Sequence, residues 1–165
     1  MTGFTLDFEN KFDGAIKDGT YEVVIYIMNE DVAGTGTEFT NVNMIIRNDI
    51  EQPHKNQHVF HRIWKSKETN KYNMMMFNTI GYAASLENGK QYGSMDELLD
   101  DYVGKPIKVR VKNETSEYNG KTYENLNVKS WDKSEFPIVQ HEYKEAPKKS
   151  TDVTTTDIPA DDLPF

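Results

Sequence analysis

The chain has 165 residues, no cysteine and a formal net charge of -8 at pH 7. Its length excludes two independent cores of ordinary size, and the absence of cysteine excludes disulfide bonds and thiolate chemistry. Packing alone must therefore stabilise a single core, as suits a reducing cytoplasm. On its own, the acidic net charge argues against a nucleic-acid partner, because phosphate contacts need Lys and Arg.

Period-two alternation of apolar side chains predicts two strands in the first 50 residues. The first strand covers residues 20–29, and the second begins after the Gly-Thr-Gly turn at residues 34–36. Tyr21, Val23, Ile25 and Ile27 share one face of the first strand. In the second strand, which is predicted to be half buried, Val42, Met44 and Ile46 alternate against Asn41, Asn43, Ile45 and Arg47.

A third predicted strand, residues 58–65, is followed by a change to helical spacing. The side chains of Val59 and Ile63 share one face of this strand, and the opposite face carries Phe60, Arg62 and Trp64. Between about residues 70 and 103 the spacing predicts two helices. The first covers about residues 70–86, and its methionine run at 74–76 is expected to fill the core. The second begins at the capping box of Ser94 and Glu97 and ends before Gly104.

A β-hairpin is the clearest prediction in the second half of the chain. Residues 107–112 alternate strictly, Asn119-Gly120 marks a tight turn, and residues 122–131 form the returning strand. The expected inward side chains are Ile107, Val109, Val111, Leu126 and Val128. The expected outward side chains are Lys108, Arg110, Lys112, Tyr123, Lys129 and Trp131.

Three strands, a helical insert and two further strands match the order of the OB-fold. This fold is a five-stranded Greek-key barrel whose surface commonly binds oligonucleotides. We therefore predict a mainly β protein with an OB-fold domain over residues 1–145. Residues 146–165 hold too few apolar side chains for a core and are predicted to form a disordered acidic tail.

The charge is distributed unevenly along the chain, which reverses the argument from its net value. Residues 45–72 carry 6 basic and 3 acidic side chains, and residues 103–133 carry 7 basic and 4 acidic ones, so each segment is net +3. Bases stack on aromatic rings while Lys and Arg follow the phosphates. The residues predicted to bind single-stranded DNA are Phe60, Arg62, Trp64, Lys108, Arg110, Lys112, Tyr123, Lys129 and Trp131. The alternative is that the cations only solvate the surface and that Phe60 or Trp64 fills the core.

Neither a metal site nor a catalytic site is predicted. His54, His58 and His61 suggest zinc, but on a strand His58 and His61 point to opposite faces, and no cysteine completes a tetrahedral set. Phosphate-binding loops, nucleophile elbows and metalloprotease motifs are absent from the sequence. We therefore expect a binding protein without a cofactor. No stretch approaches the roughly 18 apolar residues that cross a bilayer, so we expect a cytoplasmic protein with no membrane partner.

The end of the chain carries its most specific motif. Three carboxylates precede an apolar tip, and the residues predicted to bind a partner protein are Asp157, Asp161, Asp162, Leu163, Pro164 and Phe165. Pro159 and Pro164 oppose helix formation, so the tip is predicted to enter a basic-rimmed pocket of another protein in an extended form. The alternative is a tail that only improves solubility.

Two resemblances follow from these motifs. The final ADDLPF resembles the acidic tip of bacterial single-stranded-DNA-binding proteins, which is close to D-D-D-I-P-F, with Leu163 in the isoleucine position and one acidic residue fewer. The body, about residues 16–131, resembles a family of bacteriophage single-stranded-DNA-binding proteins encoded near replication and recombination genes. That resemblance rests on D-G-x-Y-E-V at Asp18–Val23, the strand pair from Met44 to Trp64, V-G-K-P-I-K-V-R-V at 103–111 and E-Y-N-G-K-T-Y-E-N at 117–125. It implies a role in phage DNA replication, recombination or repair inside a bacterial host cell.

The expected function is the coating of transient single-stranded DNA without strong sequence preference, while the tail recruits replication or recombination proteins of phage or host. Two alternatives stay open. One is a single-strand annealing or recombination-mediator protein of the same fold, and the other is a protein-interaction adaptor that binds no nucleic acid. Pairing of an edge strand with a second copy would give a homodimer, which the sequence neither requires nor excludes.

Overall fold

The computed structural model describes residues 3–6 and 15–147. Its elements follow in the order β1 (Gly19–Val32), β2 (Glu38–Ile46), β3 (His58–Trp64), α1 (Met75–Ala83), α2 (Met95–Tyr102), β4 (Pro106–Tyr118) and β5 (Lys121–Lys133). The protein is mainly β, and both helices lie between the third and fourth strands, as predicted. Residues 148–165, which hold most of the predicted tail, lie outside the described residues.

All five strands form one antiparallel sheet in the order β3-β2-β1-β4-β5. The central strand is β1, which is 14 residues long and rich in β-branched and aromatic side chains. Its first part, Gly19–Val24, pairs with β4, and the part from Val23 to Val32 pairs with β2. The edges of this open sheet are therefore β3 and β5.

The core lies between the inner face of the sheet and the two helices. Aliphatic side chains of the first four strands meet Phe77 and Ile80 of α1 and Leu99 and Tyr102 of α2. The Tyr102 hydroxyl donates to the Phe77 carbonyl at 2.6 Å and so joins the helices, and burial raises the pKa of Tyr102. Neither helix of the described ranges is long and apolar enough to cross a membrane.

A β-bulge in β1 changes which side chains enter the core. The register shifts between Ile25 and Ile27, so that Ile27 lies opposite Asn43 on the outer face. Met28 instead lies opposite Val42 and is buried. The prediction that Ile27 shares a face with Tyr21, Val23 and Ile25 was therefore wrong, because the bulge adds one residue to a strict period of two.

Helix α1 is shorter than the predicted stretch of residues 70–86. Before it begins, Tyr72 forms a β-bridge with Lys65. The Tyr72 hydroxyl donates to the Glu30 carboxylate at 2.9 Å and accepts from the Thr40 hydroxyl at 2.8 Å. These contacts hold the chain extended, so the helix begins only at Met75.

The methionine run lies mostly on the surface, which contradicts the prediction that it fills the core. Met75 is 71% exposed and Met74 is also exposed, whereas Met76 packs against the core. The buried face of α1 is formed by Phe77, Ile80, Gly81 and Ala83. Helical spacing fixes which residues share a face, but only docking on the sheet decides which face is buried.

Two local predictions are confirmed. The Ser94 hydroxyl accepts from the backbone N–H of Glu97 at 3.2 Å and caps α2. Asn119 and Gly120 have φ values of 53° and 76°, the left-handed conformations that a type I′ hairpin turn requires. Both features depend on residues within four positions of one another, which is why the sequence alone predicts them.

After β5 the chain crosses the outer face of β1 and β2 as an irregular segment, residues 134–145, here called the strap. Arg47 holds the strap: its guanidinium, 0% exposed, donates to the carbonyls of Phe136 at 2.7 Å and Ile138 at 3.0 Å. It also binds both oxygens of Asp49, with N–O distances of 2.9 and 2.6 Å. The Asp49 carboxylate in turn accepts from the backbone N–H of Gln140 at 2.9 Å.

We expect Arg47→Ala to lower the free energy of unfolding by about 3–5 kcal/mol, because it leaves a buried carboxylate and two strap carbonyls without their partner. Urea unfolding followed by tryptophan fluorescence measures the change. Lys55→Ala is the matched control, since Lys55 forms only a surface pair with Glu51 at 3.4 Å and should change stability by at most about 1 kcal/mol. Equally small losses in the two variants would contradict the anchoring role of Arg47.

Candidate nucleic-acid interface

The outer face of β2 and β3 carries a cluster of rings that the register of the two strands brings together. Three pairs lie opposite one another: Phe39 and Trp64, Asn41 and Arg62, and Asn43 and Phe60. Outward positions on a strand recur about every 7 Å, so these pairs form three successive rows. We call Phe39, Phe60, Arg62 and Trp64 the aromatic face.

Arg62 lies among the rings of the aromatic face. Its guanidinium carbon is 4.8 Å from the ring centroid of Phe39 and 6.0 Å from that of Trp64, and the two ring centroids are 4.8 Å apart. Phe39 is buried in this cluster, whereas Trp64 is 45% exposed and Phe60 is 56% exposed. The aromatic face therefore presents two accessible rings beside a cation.

A groove of about 460 Å³ separates the aromatic face from β5. Its lining residues are Phe60, His61, Arg62 and Trp64 on one side and Asn125, Leu126 and Asn127 on the other. At this gap the two edge strands approach each other, with the rings of His61 and Trp131 edge to face at 5.1 Å. The groove thus brings the predicted residues of β3 beside the β4–β5 hairpin.

Two of the predicted cations on the hairpin already have acidic partners. The Lys129 ammonium lies 2.9 Å from the Glu114 carboxylate, and the hydrogen bonds from Asn127 and Lys129 hold the pKa of Glu114 below its usual range. The Lys108 ammonium lies 3.7 Å from the carboxylate of Glu135. These pairs reduce the positive charge that Lys108 and Lys129 offer to a phosphate.

Three other predicted residues of the hairpin lie on the accessible surface. Arg110 and Lys112 point outward from β4, and neither forms an ion pair with any other residue of the described ranges. Tyr123 is exposed opposite Ser116, near the end of the hairpin. Among the predicted cations of the hairpin, Arg110 and Lys112 are therefore the best placed to meet a phosphate.

Trp131 does not lie on the outer surface, so the prediction of its face was wrong. The register of β4 and β5 shifts after Arg110, which leaves Lys129 without a residue directly opposite. Trp131 then falls opposite Val109 and packs, partly buried, against the core. As in β1, one additional residue in a strand reverses the face to which the following side chains point.

A second recess, about 310 Å³ in volume, lies where the strap crosses the outer face, and we call it the strap pocket. Its lining residues are Tyr26, Ile45, Asn56, His58, His141, Lys144 and Glu145. The ring of His58 stacks on that of Phe60 at 5.9 Å and meets the edge of Tyr26 at 5.8 Å. Burial lowers the pKa of His58 and of His141, so both imidazoles are neutral near pH 7.

The histidines that suggested zinc lie in different places. His54 is in the loop after β2 with its Nδ1 2.9 Å from Gln57 Oε1, His58 is on the outer face of β3, and His61 is on the inner face. Within residues 3–6 and 15–147, no group of three or more His, Asp and Glu side chains is arranged to hold a metal ion.

Comparison with known protein families places this domain. The model of a family described as "Protein of unknown function (DUF669)" matches residues 4–145. The chain belongs to the DUF669 family. The matched range contains the five strands and two helices of the described residues together with the strap. The predicted partner-binding tip, Asp157–Phe165, lies beyond it and outside the described residues. No curated protein matches the chain.

Sequence reasoning missed two parts of this DUF669 surface. Phe39 joins the aromatic face only because β2 pairs with β3 in a register that places it opposite Trp64. The strap pocket depends on the return of residues 134–145 across the sheet, which no local pattern indicates. The available signal for Phe39 was the alternation of Asn41 and Asn43 with buried Val42, which marks the outer face of β2.

We expect Trp131→Ala to lower the free energy of unfolding by about 2–4 kcal/mol, because it removes a ring that packs against the core. Phe60→Ala is the matched control and should change it by less than about 1 kcal/mol, since more than half of that ring is already exposed. Chemical denaturation of both variants measures the difference. A larger loss for Phe60→Ala than for Trp131→Ala would mean that the two faces are exchanged.

Proposed function

We propose that the protein is a non-catalytic single-stranded-DNA-binding protein. The observation that carries the proposal is the aromatic face, in which the exposed rings of Phe60 and Trp64 flank the guanidinium of Arg62 along one strand. Every base has a face that stacks on a ring, and each stacked base contributes about 1–3 kcal/mol. Such a surface binds a single strand with little sequence preference.

The sheet supports an OB-fold as the framework of this function. In that Greek-key barrel the first strand is central and the third and fifth strands approach to close it. Here β1 pairs with both β2 and β4, and His61 of β3 meets Trp131 of β5. OB-folds bind oligonucleotides on the face of strands 2 and 3, which is where the aromatic face lies.

The arrangement of cations supports the same surface in spite of the net charge of -8. Arg62 is exposed on β3, and the groove beside β5 separates it from the hairpin that carries Arg110 and Lys112. Contacts of these cations with phosphates release bound counterions, which adds affinity that does not depend on sequence. The acidic side chains are concentrated elsewhere, with 8 in residues 1–44 and 4 in the last 16 residues.

The setting we propose is DNA replication, recombination or repair of a phage in the cytoplasm of its bacterial host, which rests on the resemblances of the body and the tip. In this setting the protein coats transient single strands. The tip at Asp157–Phe165 recruits replication or recombination proteins, because its terminal ring and carboxylates suit a basic-rimmed apolar pocket.

A protein-interaction adaptor is the second candidate, and one observation favours it. Helix α1 exposes Met75 and Tyr82, each 71% accessible, beside a recess of about 630 Å³ that Trp131 also lines. Methionine-rich surfaces adapt to varied partners. Binding of an oligonucleotide distinguishes the candidates, because the adaptor would bind none.

We expect Phe60→Ala and Trp64→Ala each to weaken binding to an oligo-dT of about 12 nucleotides by about 5- to 150-fold, since each removes one stacking ring. Fluorescence anisotropy of labelled oligo-dT at low salt measures the affinity, and thermal unfolding checks that the variants stay folded. Tyr82→Ala is the matched control, because it removes a ring from α1 that is more exposed than either Phe60 or Trp64.

Failure of the unmodified protein to bind oligo-dT at low salt would contradict the proposed function. Equal weakening by Tyr82→Ala and Trp64→Ala would contradict the assignment of the binding face. Annealing of complementary labelled strands by the protein would instead indicate the strand-annealing alternative.

We expect removal of residues 157–165 to abolish recruitment of partner proteins while DNA affinity stays the same or rises. The removed carboxylates compete with phosphates for the basic surface, so their loss cannot weaken DNA binding electrostatically. Phe165→Ala should abolish recruitment and leave DNA affinity unchanged, because it removes the ring but keeps every carboxylate. Pull-downs with purified host replication and repair proteins, beside oligo-dT titrations, measure both effects. Equal recruitment by the truncated and full-length chains would show that the tip is only a solubility device.

A further inference from the structure

We propose that the strap pocket holds one base of the bound single strand, so that the strap is part of the DNA-binding site. This inference deepens the proposed function and rests on it. The pocket has no role in the argument for the aromatic face, which stands on other residues.

The position of the strap pocket makes it the next stacking site beyond the aromatic face. His58 lies two residues before Phe60, at the neighbouring outward position of β3, and their rings stack at an interplanar angle of 15°. Tyr26 lines the same recess, and its ring stacks on that of Tyr143 of the strap at 5.9 Å. A DNA strand whose bases stack on Trp64 and Phe60 therefore leads into the strap pocket without a change of direction.

The chemistry of the pocket suits a base better than a phosphate. Its walls are the rings of Tyr26, His58 and His141 and the side chain of Ile45, which favour a flat, partly apolar group. The imidazoles are neutral at pH 7, since burial lowers their pKa, and Glu145 places a carboxylate at the pocket. Lys144 is the cation of the lining and is placed to meet the phosphate that follows the base. The volume of the strap pocket, about 310 Å³, is at the lower end of the range for small-ligand sites, about 300–1,000 Å³.

The strap wall of the pocket is fixed in place by hydrogen bonds. His141 Nδ1 accepts from the backbone N–H of Asn48 at 3.0 Å. The side-chain amide of Asn48 donates to the Glu142 carbonyl at 2.8 Å and accepts from the Glu142 backbone N–H at 2.9 Å. The Tyr26 hydroxyl donates to the Glu145 carbonyl at 3.1 Å. A pocket held in this way is formed before the ligand arrives, so binding does not have to order it.

The four histidines of the chain provide the test, because His58 and His141 line the pocket and His54 does not. Their Hε1 resonances, assigned with single His→Gln variants, are followed by NMR while the full chain is titrated with oligo-dT of about 8 nucleotides. We expect the resonances of His58 and His141 to shift and that of His54 to stay. An abasic oligonucleotide of the same length keeps the phosphates but lacks the bases, so it should shift neither.

A parallel affinity measurement uses His58→Ala, with His54→Ala as its matched control. We expect His58→Ala to weaken oligo-dT binding by about 5-fold or more and His54→Ala to leave it unchanged. If oligo-dT binds and Trp64→Ala weakens binding, but His141 stays unshifted and His58→Ala has no effect, the strap pocket is not a base site and the proposed function stands. If the abasic strand shifts His141 as oligo-dT does, the pocket takes a phosphate and the inference is wrong. If oligo-dT does not bind at all, the proposed function fails together with the pocket.

Discussion

The buried guanidinium of Arg47 is the constraint on which the outer surface of this protein depends. A charge removed from water is tolerated only when it is paired and its remaining donors are satisfied. Asp49 supplies the opposite charge and the carbonyls of the strap supply the other acceptors. Release of the strap would break these charge-assisted hydrogen bonds together, so a segment without regular secondary structure is held as a fixed part of the domain.

The strap divides the outer face of the sheet into two halves with different properties. Over β1 it covers Glu22, which accepts from the Ser134 hydroxyl and is buried despite its charge. Over β3 the sheet stays open, and there the exposed rings of Phe60 and Trp64 are found. The strap pocket forms at the boundary between the halves, which explains why its walls combine residues of the sheet with residues of the strap.

Two single-residue irregularities decide which large side chains enter the core. The bulge in β1 exchanges Ile27 for Met28, and the register shift between β4 and β5 turns Trp131 inward. Each change costs little backbone pairing and reverses the face of all the residues that follow it. The same shift leaves Lys129 without an opposite residue, and its ammonium finds Glu114 instead.

The sequence by itself determined the features that depend on neighbouring residues. The five strands, the helical insert, the Ser94 cap and the Asn119-Gly120 turn follow from local alternation, capping and φ preferences, and they are present in the structure. The outward face of β3 also follows, because a short strand without a bulge keeps strict alternation.

Only the tertiary structure decided the remaining features, because they depend on contacts between distant segments. The length of α1 depends on the contact of Tyr72 with Glu30, and the inward turn of Trp131 depends on a register shift against β4. The alternation in the sequence places Arg47 on the face opposite Val42, Met44 and Ile46, but the returning strap buries it completely. Alternation with a period of two predicts which side chains share a face of a strand. Their burial depends on what covers that face, and here the covering segment lies some ninety residues away along the chain.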